Sequence, residues 1–170
     1  MRDSLLAAGL VLAASSTALA QEAPRVEVFG GYSAVRDDGE TTSGWNAAAG
    51  YSLTRRFGIV ADLSGHYGTL DLLSAMAGPS ATIRRGKLAP FAHALFGVVR
   101  TTESITVLRV KISETEDAFG MQFGGGVDVE LTKKLSLRLF QGDYRIAKAG
   151  GKSQNSARFS AGIVLRAGKK

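Results

Sequence analysis

The stretch GWNAAAGYSLTRRFGIVADLSGHYG, residues 44–68, decides the fold of this chain. Large apolar side chains alternate with small or polar ones on both sides of a short basic link, Thr54–Arg56. In the second half, Ile59 and Leu63 fall on one face and Asp62 on the other, because side chains of a strand alternate with a period of two. The stretch therefore predicts two antiparallel strands joined by a tight turn.

The same alternation recurs along the rest of the chain and predicts eight strands. Pro79 predicts a bulge or a gap in the pairing of the fourth strand, because proline cannot donate a backbone hydrogen bond. The phase of the seventh strand slips near residues 140–142, so its faces are not assigned beyond that point. The predicted strands cover residues 25–34, 43–53, 57–67, 72–84, 89–100, 117–131, 135–146 and 155–166.

The links between these strands are alternately short and long. The short links are Thr54–Arg56, Arg84–Lys87 and Thr132–Lys134, and the long links cover about residues 35–43, 66–74, 101–117 and 146–155. This asymmetry is typical of a barrel that crosses a bilayer, with tight turns on one side and longer loops on the other. We predict an all-β fold, an eight-stranded antiparallel up-and-down transmembrane β-barrel with both termini on the periplasmic, tight-turn side.

A soluble barrel is the alternative, a periplasmic, lipocalin-like protein that binds an apolar ligand inside. It would place the apolar face inward and the polar face outward. The polar face of this chain carries mostly Gly, Ala, Ser and Asn, whereas a water-exposed face usually carries more charge. Aromatic residues also gather near strand ends, as in the girdles of membrane barrels. These are Tyr32, Trp45, Tyr51, Phe57, Tyr67, Phe91, Phe119 and Phe159.

The charges divide between the two sides of the predicted barrel. The net charge is +6, and basic residues dominate the short turns and the C-terminus, whereas the first three long loops are net acidic. Because the basic residues lie in separate turns without a groove of stacking aromatics, we expect solvated turns and no nucleic-acid partner. Contact with anionic headgroups is a weaker suggestion. The basic residues are Arg55, Arg56, Arg84, Arg85, Lys87, Lys133, Lys134, Arg166, Lys169 and Lys170.

The N-terminal segment predicts export. Leu5–Ala14 is an apolar run too short to cross a bilayer, and Ala18–Ala20 supplies a small-x-small cleavage pattern. We expect residues 1–20 to be a signal peptide and residues 21–170 the outer-membrane β-barrel domain; a buried N-terminal helix is the alternative. No later run reaches about 18 consecutive apolar residues, so no transmembrane helix is predicted. The chain has no cysteine, which excludes disulfides and thiolate ligands.

The segments GWNAAAGYSLTRRFGIVADLSGHYG, PFAHALFGVVR, FGGGVDVELTKKLSLRLFQGDYRI and NSARFSAGIVLR together resemble the small outer-membrane β-barrel proteins of Gram-negative-type bacteria, the OmpA-like and OmpX-like barrels. The resemblance covers about residues 25–167. It implies location in the bacterial outer membrane, contact with outer-membrane lipid and insertion by the barrel-assembly machinery. We expect a monomer. The chain departs from the family pattern because its last strand gives way to residues 167–170 without a terminal aromatic residue.

Charged residues on the inward face predict a polar network. Glu27, Asp62 and Asp128 would face the lumen, with Arg138 and Arg158 as partners, because an unpaired charge inside a narrow barrel is costly. Eight strands leave an interior that side chains fill, so we predict a packed network and no open pore. The predicted lumen residues are Glu27, Asp62, His93, Gln122, Asp128, Arg138 and Arg158.

Catalysis is not expected. Asp62, Ser64 and His66 share one face of the third strand, which admits a hydrolase triad, but alternate residues of a strand lie about 7 Å apart. With only His66 and His93 as histidines, little is available for a metal. We expect no cofactor, and a non-enzymatic protein with a structural, adhesive or minor channel role.

The link 101–117 is the candidate for a surface interaction, through Leu108, Arg109, Val110 and Lys111. Alternation within this link could extend the fifth and sixth strands as a protruding hairpin that pairs with or adheres to a surface protein. An ordinary long loop with some β character is the alternative, which the sequence favours slightly.

Overall fold

Eight antiparallel strands close into a barrel in the computed structural model, which describes residues 24–37, 40–67, 70–107, 110–149 and 152–169. Each strand pairs with the next, and β8 pairs with β1. The predicted fold class and strand number are confirmed. The strands are β1 (Pro24–Asp37), β2 (Glu40–Ser52), β3 (Phe57–His66), β4 (Leu70–Thr82), β5 (Leu88–Val107), β6 (Val110–Thr132), β7 (Leu135–Ala149) and β8 (Lys152–Lys169).

The two faces of the barrel wall have opposite character. On β3, Phe57 and Ile59 are 62% and 52% exposed on the outside, whereas Asp62 and Ser64 are 2% and 0% exposed inside. The other strands follow this pattern, so large apolar side chains cover the outer wall and polar side chains line the lumen. The soluble, lipocalin-like alternative is therefore wrong, because it requires the opposite assignment of faces.

The strands run further than predicted at the end where the long links lie. The β5–β6 pairing continues to Val107↔Val110, so residues 101–107 and 110–117 form the two arms of a hairpin, and the preference for an ordinary loop was wrong. Two paired strands satisfy the backbone N–H and C=O groups that face each other, whether or not a third strand is present. The pairing can therefore continue as far as the side-chain alternation does. Leu108 and Arg109 lie outside the described residues, whereas Val110 and Lys111 belong to β6. We call residues 101–117 the long hairpin and this side of the barrel the hairpin end.

The opposite side of the barrel, the turn end, carries tight turns at residues 53–56, 83–87 and 133–134. Gly86 has a φ of 59°, a conformation that glycine adopts without strain. Thr54 and Thr132 each accept hydrogen bonds from backbone N–H groups two and three residues ahead. Such side-chain-capped turns close hairpins with few residues.

Pro79 interrupts the pairing of β4 with β5. The paired positions end at Ala77↔Phe96 and resume at Ser80↔His93 with the register unchanged. The predicted irregularity is thus a gap, because proline has no N–H to donate to the neighbouring strand.

A β-bulge in β7 accounts for the predicted phase slip. Asp128 is paired with Arg138 and Val127 with Phe140, so one residue of β7 is extra at Leu139. Leu139 and Phe140 both lie outside, exposed by 55% and 52%, and the alternation then resumes with the opposite parity. The prediction of a slip in this strand is confirmed.

Among the described residues, no helix is long and apolar enough to cross a membrane. Residues 1–20, the predicted signal peptide, lie outside the described residues.

Candidate functional site

The candidate site is the lumen, which is polar on one side and apolar on the other. Met76, Leu95 and Val99 of β4 and β5 form an apolar cluster, against which Leu72 and Ala147 pack. Polar side chains line the rest of the lumen, and Ser74 of β4 is one of them. The buried polar residues are Ser33, Asn46, Asp62, Ser64, His66, Ser74, Gln122, Asp128, Ser136, Arg138, Gln141, Asp143, Arg145, Arg158, Ser160 and Arg166.

Arg158 of β8 lies at the centre of the polar network and has no exposed surface. Its Nη1 and Nη2 donate to Oδ1 and Oδ2 of Asp62 on β3, at 2.8 and 3.0 Å. Its Nε and Nη2 also donate to Oδ2 of Asp143 on β7, at 2.9 and 2.8 Å. Asn46 donates a further hydrogen bond to Asp62 Oδ2 at 2.9 Å. One guanidinium therefore bridges two carboxylates from opposite sides of the barrel, in the planar geometry that suits arginine.

Asp143 connects this centre to two further side chains. Its Oδ1 lies 2.8 Å from Nε2 of His93, and its Oδ2 accepts a hydrogen bond from Gln141 at 2.8 Å. Gly124 lies beside it on β6, where a Cβ would overlap the Asp143 carboxylate. The glycine thus leaves the space that the carboxylate occupies.

A second ion pair lies closer to the turn end. Arg138 donates to both oxygens of Asp128, at 2.7 and 3.1 Å, and to Oε1 of Gln141 at 2.7 Å. Its guanidinium carbon lies 4.4 Å from the ring centre of Phe29 and 4.1 Å from that of Phe91. Two aromatic faces and a bidentate carboxylate hold this arginine in a cation–π sandwich.

At the turn end, Glu27 Oε1 accepts hydrogen bonds from Arg84 Nη2 and Arg166 Nε, each at 3.0 Å. Arg166 also reaches Glu130 Oε2 at 3.2 Å. The side chains of Arg84 and Arg166 are only 9% and 3% exposed. Arg84 was expected in a solvated turn and Arg166 among the solvated charges of the C-terminus, and both expectations were wrong. The long stems of these arginines let the guanidinium groups turn back into the barrel, where the carboxylates compensate their charge.

Towards the hairpin end, Arg145 is buried, and no carboxylate of the described residues lies within ion-pair distance of it. It donates to Gln122 Oε1 and to the hydroxyls of Ser64 and Ser74, at 3.3–3.4 Å. Neutral acceptors thus solvate this guanidinium, with Asp62 and Asp143 as the nearby negative charges.

The buried charges balance along the lumen. Within the described part of the chain, five arginines face five carboxylates there, which leaves no net charge when the histidines are neutral. The arginines are Arg84, Arg138, Arg145, Arg158 and Arg166; the carboxylates are Glu27, Asp62, Asp128, Asp143 and Glu130. A neutral network is the arrangement expected where no water is available to solvate isolated charge.

All seven lumen residues predicted from the sequence face the interior. Asp62 is joined to Arg158 and Asp128 to Arg138. Glu27 instead contacts Arg84, which was predicted in a short turn, and Arg166, which was grouped with the charges of the C-terminus. The remaining two lie with partners that were not predicted, His93 with Asp143 and Gln122 with Arg145.

Gln141, Asp143 and Arg145 were missed because they follow the bulge. Their spacing of two was a usable signal: shifting the parity of β7 by one residue after Leu139 places all three inside. Asn46 of β2 was also not predicted as a member of the network, and it donates to Asp62.

No hydrolytic triad forms along β3. Asp62 contacts Arg158 and Asn46, Ser64 contacts Ser74, and His66 Nε2 lies 2.9 Å from Ser33 Oγ. His66 Nδ1 is buried without a hydrogen-bond partner among the described residues, so none of their carboxylates orients this imidazole. In the described ranges, no three His, Cys, Asp or Glu residues are grouped in a way that could hold a metal.

An outer wall of large apolar side chains around a charge-balanced polar interior defines an integral membrane β-barrel, since lipid can cover only the first and a closed sheet satisfies the backbone. A family model described as "Outer membrane protein beta-barrel domain" matches residues 4–166. The chain therefore belongs to the outer-membrane β-barrel family, which places it in the bacterial outer membrane.

Several solved structures share this fold at low sequence identity. Ail, the attachment invasion locus protein of Yersinia pestis, is 14% identical, with 86% of this chain and 99% of that chain covered and a TM-score of 0.57. The N-terminal β-barrel domain of Pseudomonas aeruginosa OprF is 10% identical (85% and 98% covered, TM-score 0.55). Neisserial surface protein A, NspA, is 17% identical (83% and 95% covered, TM-score 0.54). A comparison with curated protein sequences found no match.

Proposed function

We propose that this protein is a non-enzymatic outer-membrane barrel that acts through its surface, by adhesion of the long hairpin to another protein. The observation that carries the proposal is an unpaired strand edge. The β6–β7 pairing begins at Phe119↔Lys148, whereas β6 itself begins at Val110. Residues 110–118 of β6 therefore pair with β5 alone in the described structure.

An unpaired edge of about nine residues is a template for another strand. Its outward N–H and C=O groups have no ladder partner from β7, and an extended segment of a partner can supply that ladder. On its other side, β5 is paired with β4 as far as Leu70↔Glu103 and continues to Val107. The β6 edge is thus the longer of the two. Ail is named an attachment invasion locus protein, a role in keeping with adhesion by a barrel of this size.

A channel is the second candidate function, and the lumen argues against it. Arg158 with its two carboxylates, Arg138 between two phenyl rings, and the Met76–Leu95–Val99 cluster occupy successive parts of the interior. An eight-stranded barrel has room for side chains but little beyond them. We infer that the lumen is a packed support that conducts no solute.

The lumen proposal has a direct test. Protein reconstituted in planar bilayers should show no stable conductance, and liposomes that contain it should not swell in sugar solutions. Stable unitary conductance of the wild-type protein would refute a packed lumen.

The proposal that the protein is not an enzyme rests on the burial of the Ser–His contact found among the described residues, between Ser33 and His66. Ser33 and His66 have no exposed surface, and His66 lacks an orienting acceptor on Nδ1. A nucleophile needs access to substrate as well as a base, and a base needs orientation.

Adhesion is tested by replacing residues 104–113 with Asn-Gly, which joins Glu103 to Glu114, a pair in the present register. Asn-Gly closes two-residue hairpins, so the barrel below should remain intact. Cells that display this variant should lose binding to surfaces coated with serum or basement-membrane extract. The matched control replaces residues 149–152 with Asn-Gly between Lys148 and Ser153. Unchanged binding by the first variant, at equal surface display, would remove the adhesive role.

Export and assembly complete the proposal. We expect cleavage after Ala20, so that mass spectrometry of the membrane protein finds Gln21 as its first residue. Insertion by the barrel-assembly machinery and a monomeric state are expected for a barrel whose strands close without a partner. Retention of residues 1–20 in the membrane-inserted protein would contradict the prediction that they are a cleaved signal peptide.

A further inference from the structure

A cavity of about 50 Å³ lies inside the turn end of the barrel, away from the long hairpin. Small inward side chains on three adjacent strands leave this space open, and the turn after β2 forms part of its rim. The residues of this wall are Ala48, Gly50, Ser52, Thr54, Gly58, Ser80 and Thr82. A space of this size holds a few water molecules or one small ion, but not a nucleotide or a sugar.

The cavity carries an excess of positive charge. Four arginines line it, Arg55, Arg56, Arg84 and Arg138, against the two carboxylates Glu27 and Asp128. Both Asp128 oxygens are bonded to Arg138, and Glu27 Oε1 is shared by Arg84 and by Arg166 outside the cavity. The carboxylates are thus already engaged with arginines.

Cationic side chains around the turn end add to the positive charge near the cavity. Around the turn end, eight cationic side chains accompany two carboxylates, an excess of six positive charges among the described side chains. Clefts lined by one sign of charge between low-dielectric walls concentrate the opposite ion. The cations are Arg55, Arg56, Arg84, Arg85, Lys87, Lys133, Lys134 and Arg166, and the carboxylates are Glu27 and Glu130.

Arg84 is the residue best placed to use this charge. Its Nη2 contacts Glu27 at 3.0 Å, and its Nη1 donates only a long hydrogen bond of 3.3 Å to the Arg55 carbonyl. Its Nε is buried without a partner, so the guanidinium has not used all its donors. A doubly hydrogen-bonded oxyanion is the ligand that an arginine with spare donors binds best.

We propose that this cavity is an oxyanion site that binds a phosphate group between Arg84 and the Thr54–Arg56 turn. The hydroxyls of Ser52, Ser80 and Thr82 in the lining supply further donors. The phosphate comes either from free phosphate in the periplasm or from the headgroup of an anionic lipid in the inner leaflet. The site does not depend on the adhesive role, because the long hairpin lies at the opposite end of the barrel.

The first test titrates inorganic phosphate into the folded protein in dodecyl maltoside, a detergent without phosphate, followed by calorimetry and ³¹P NMR. Saturable binding is expected, and Arg84→Gln should weaken it at least tenfold. The matched control is Arg85→Gln in the same turn, which removes one exposed charge that does not line the cavity. It should change the affinity less than twofold. Equal weakening by both variants would mean that phosphate is attracted by the general positive charge and not by a site, which would overturn the proposal. Absence of saturable binding by the wild type would also overturn it.

A second variant tests the site in case Arg84→Gln prevents folding. Ser80→Leu fills the cavity and leaves the Glu27 and Asp128 ion pairs in place, so phosphate binding should be lost while unheated samples keep the mobility of a folded barrel. Retained affinity in folded Ser80→Leu would also overturn the proposal, because the phosphate would then bind outside the cavity.

Reconstitution distinguishes the two sources of phosphate. Vesicles of phosphatidylcholine are compared with vesicles that also contain phosphatidylglycerol. If an anionic lipid is the natural ligand, phosphatidylglycerol should abolish binding of added phosphate to the wild type. If free phosphate is the ligand, its affinity should be the same in both vesicles. Either result supports the site and identifies its source.

Discussion

Arg158 donates four hydrogen bonds to two carboxylates inside the barrel. Isolated in such an interior, each of these three charges would be strongly destabilising. Together they form a unit in which every charge compensates another. Removal of one member costs more than its own contacts, because the partners stay buried.

Asp62→Asn tests this unit. It removes the charge that faces Arg158 and leaves Arg145 near an uncompensated arginine, so unfolding in urea should become easier by about 3 kcal/mol. The measurement is the fraction of fast-migrating folded protein in lipid vesicles across a urea series. Asp117→Asn breaks an exposed pair with Arg100 and serves as control, with little change expected. Equal stability of both variants would contradict the importance of burial.

Gly124→Ala tests the space beside Asp143. The new Cβ would overlap the Asp143 carboxylate and the backbone of Gly142, so the His93–Asp143 contact must break or the strands must move apart. We expect a loss of roughly 1–3 kcal/mol in the same urea assay, the usual range for overpacking. Gly30→Ala places a methyl where no atom lies within 4 Å and should not destabilise the barrel. A neutral Gly124→Ala would show that the network can rearrange freely.

At the scale of elements, the bulge in β7 adds one outward-facing residue and leaves the same side chains in the lumen. Residues 139 and 140 both face lipid, and the strand before and after them keeps its polar residues inside. If Leu139 were removed, strict alternation would still place Arg138 and Gln141 inside and Phe140 outside. The bulge is therefore not needed to keep the polar residues of β7 inside. A residue can be removed at the bulge without reversing the faces, but not elsewhere in β7.

Deletion of Leu139 should consequently be tolerated, with a folded band on gels of unheated samples and a modest loss of stability. Deletion of Tyr144 removes a residue outside any bulge, so either Asp143 or Arg145 must turn towards lipid, and folding should fail. Comparable folding of the two deletion variants would contradict the assignment of the bulge to residues 139–140.

The base of the long hairpin carries a charged pair on the outer face, just beyond Val98 and Phe119. Arg100 Nε and Nη2 donate to Asp117 Oδ1 and Oδ2, at 2.7 and 3.0 Å. These hydrogen bonds, with the attraction of the opposite charge, hold the pKa of Asp117 below its usual value. The pair marks where the apolar wall ends and the hairpin enters water.

The lowered pKa of Asp117 has a defined sign for stability. The pair stabilises the hairpin at pH values above the carboxyl's unfolded pKa, and this contribution is lost as the pH falls through the folded pKa. In Arg100→Gln, an NMR titration should show a higher Asp117 pKa than in the wild type. An unchanged Asp117 pKa in that variant would mean that the pair does not form in solution.

The whole molecule should behave as a closed barrel in lipid. All eight strands pair on both sides along the membrane, so no free edge is left in lipid. The protein should pellet with outer membranes, resist extraction by salt, and migrate faster on gels before heating than after. Release by salt alone, or identical mobility before and after heating, would contradict an integral barrel.

Much of the architecture could be predicted because its causes are local. Alternation assigned Asp62, Asp128 and Arg158 to one face, and turn residues such as Thr54–Arg56 marked where strands reverse. The irregularities at Pro79 and in β7 also have local causes. Proline lacks the backbone N–H that would donate to the neighbouring strand, and β7 interrupts the alternation of apolar and polar side chains. The uneven lengths of the links identified the two ends of the barrel.

The sequence by itself therefore determined the number of strands, their order, most of their faces and the membrane as their environment. Only the tertiary structure decided the partners, because barrel closure and stagger place Arg158 of β8 opposite Asp62, 96 positions away along the chain. Closure also turned Arg84 and Arg166 inward to Glu27, and continued pairing carried β5 and β6 beyond their neighbours. Periodicity is a property of neighbouring residues, whereas contacts across the lumen depend on the geometry of all eight strands at once.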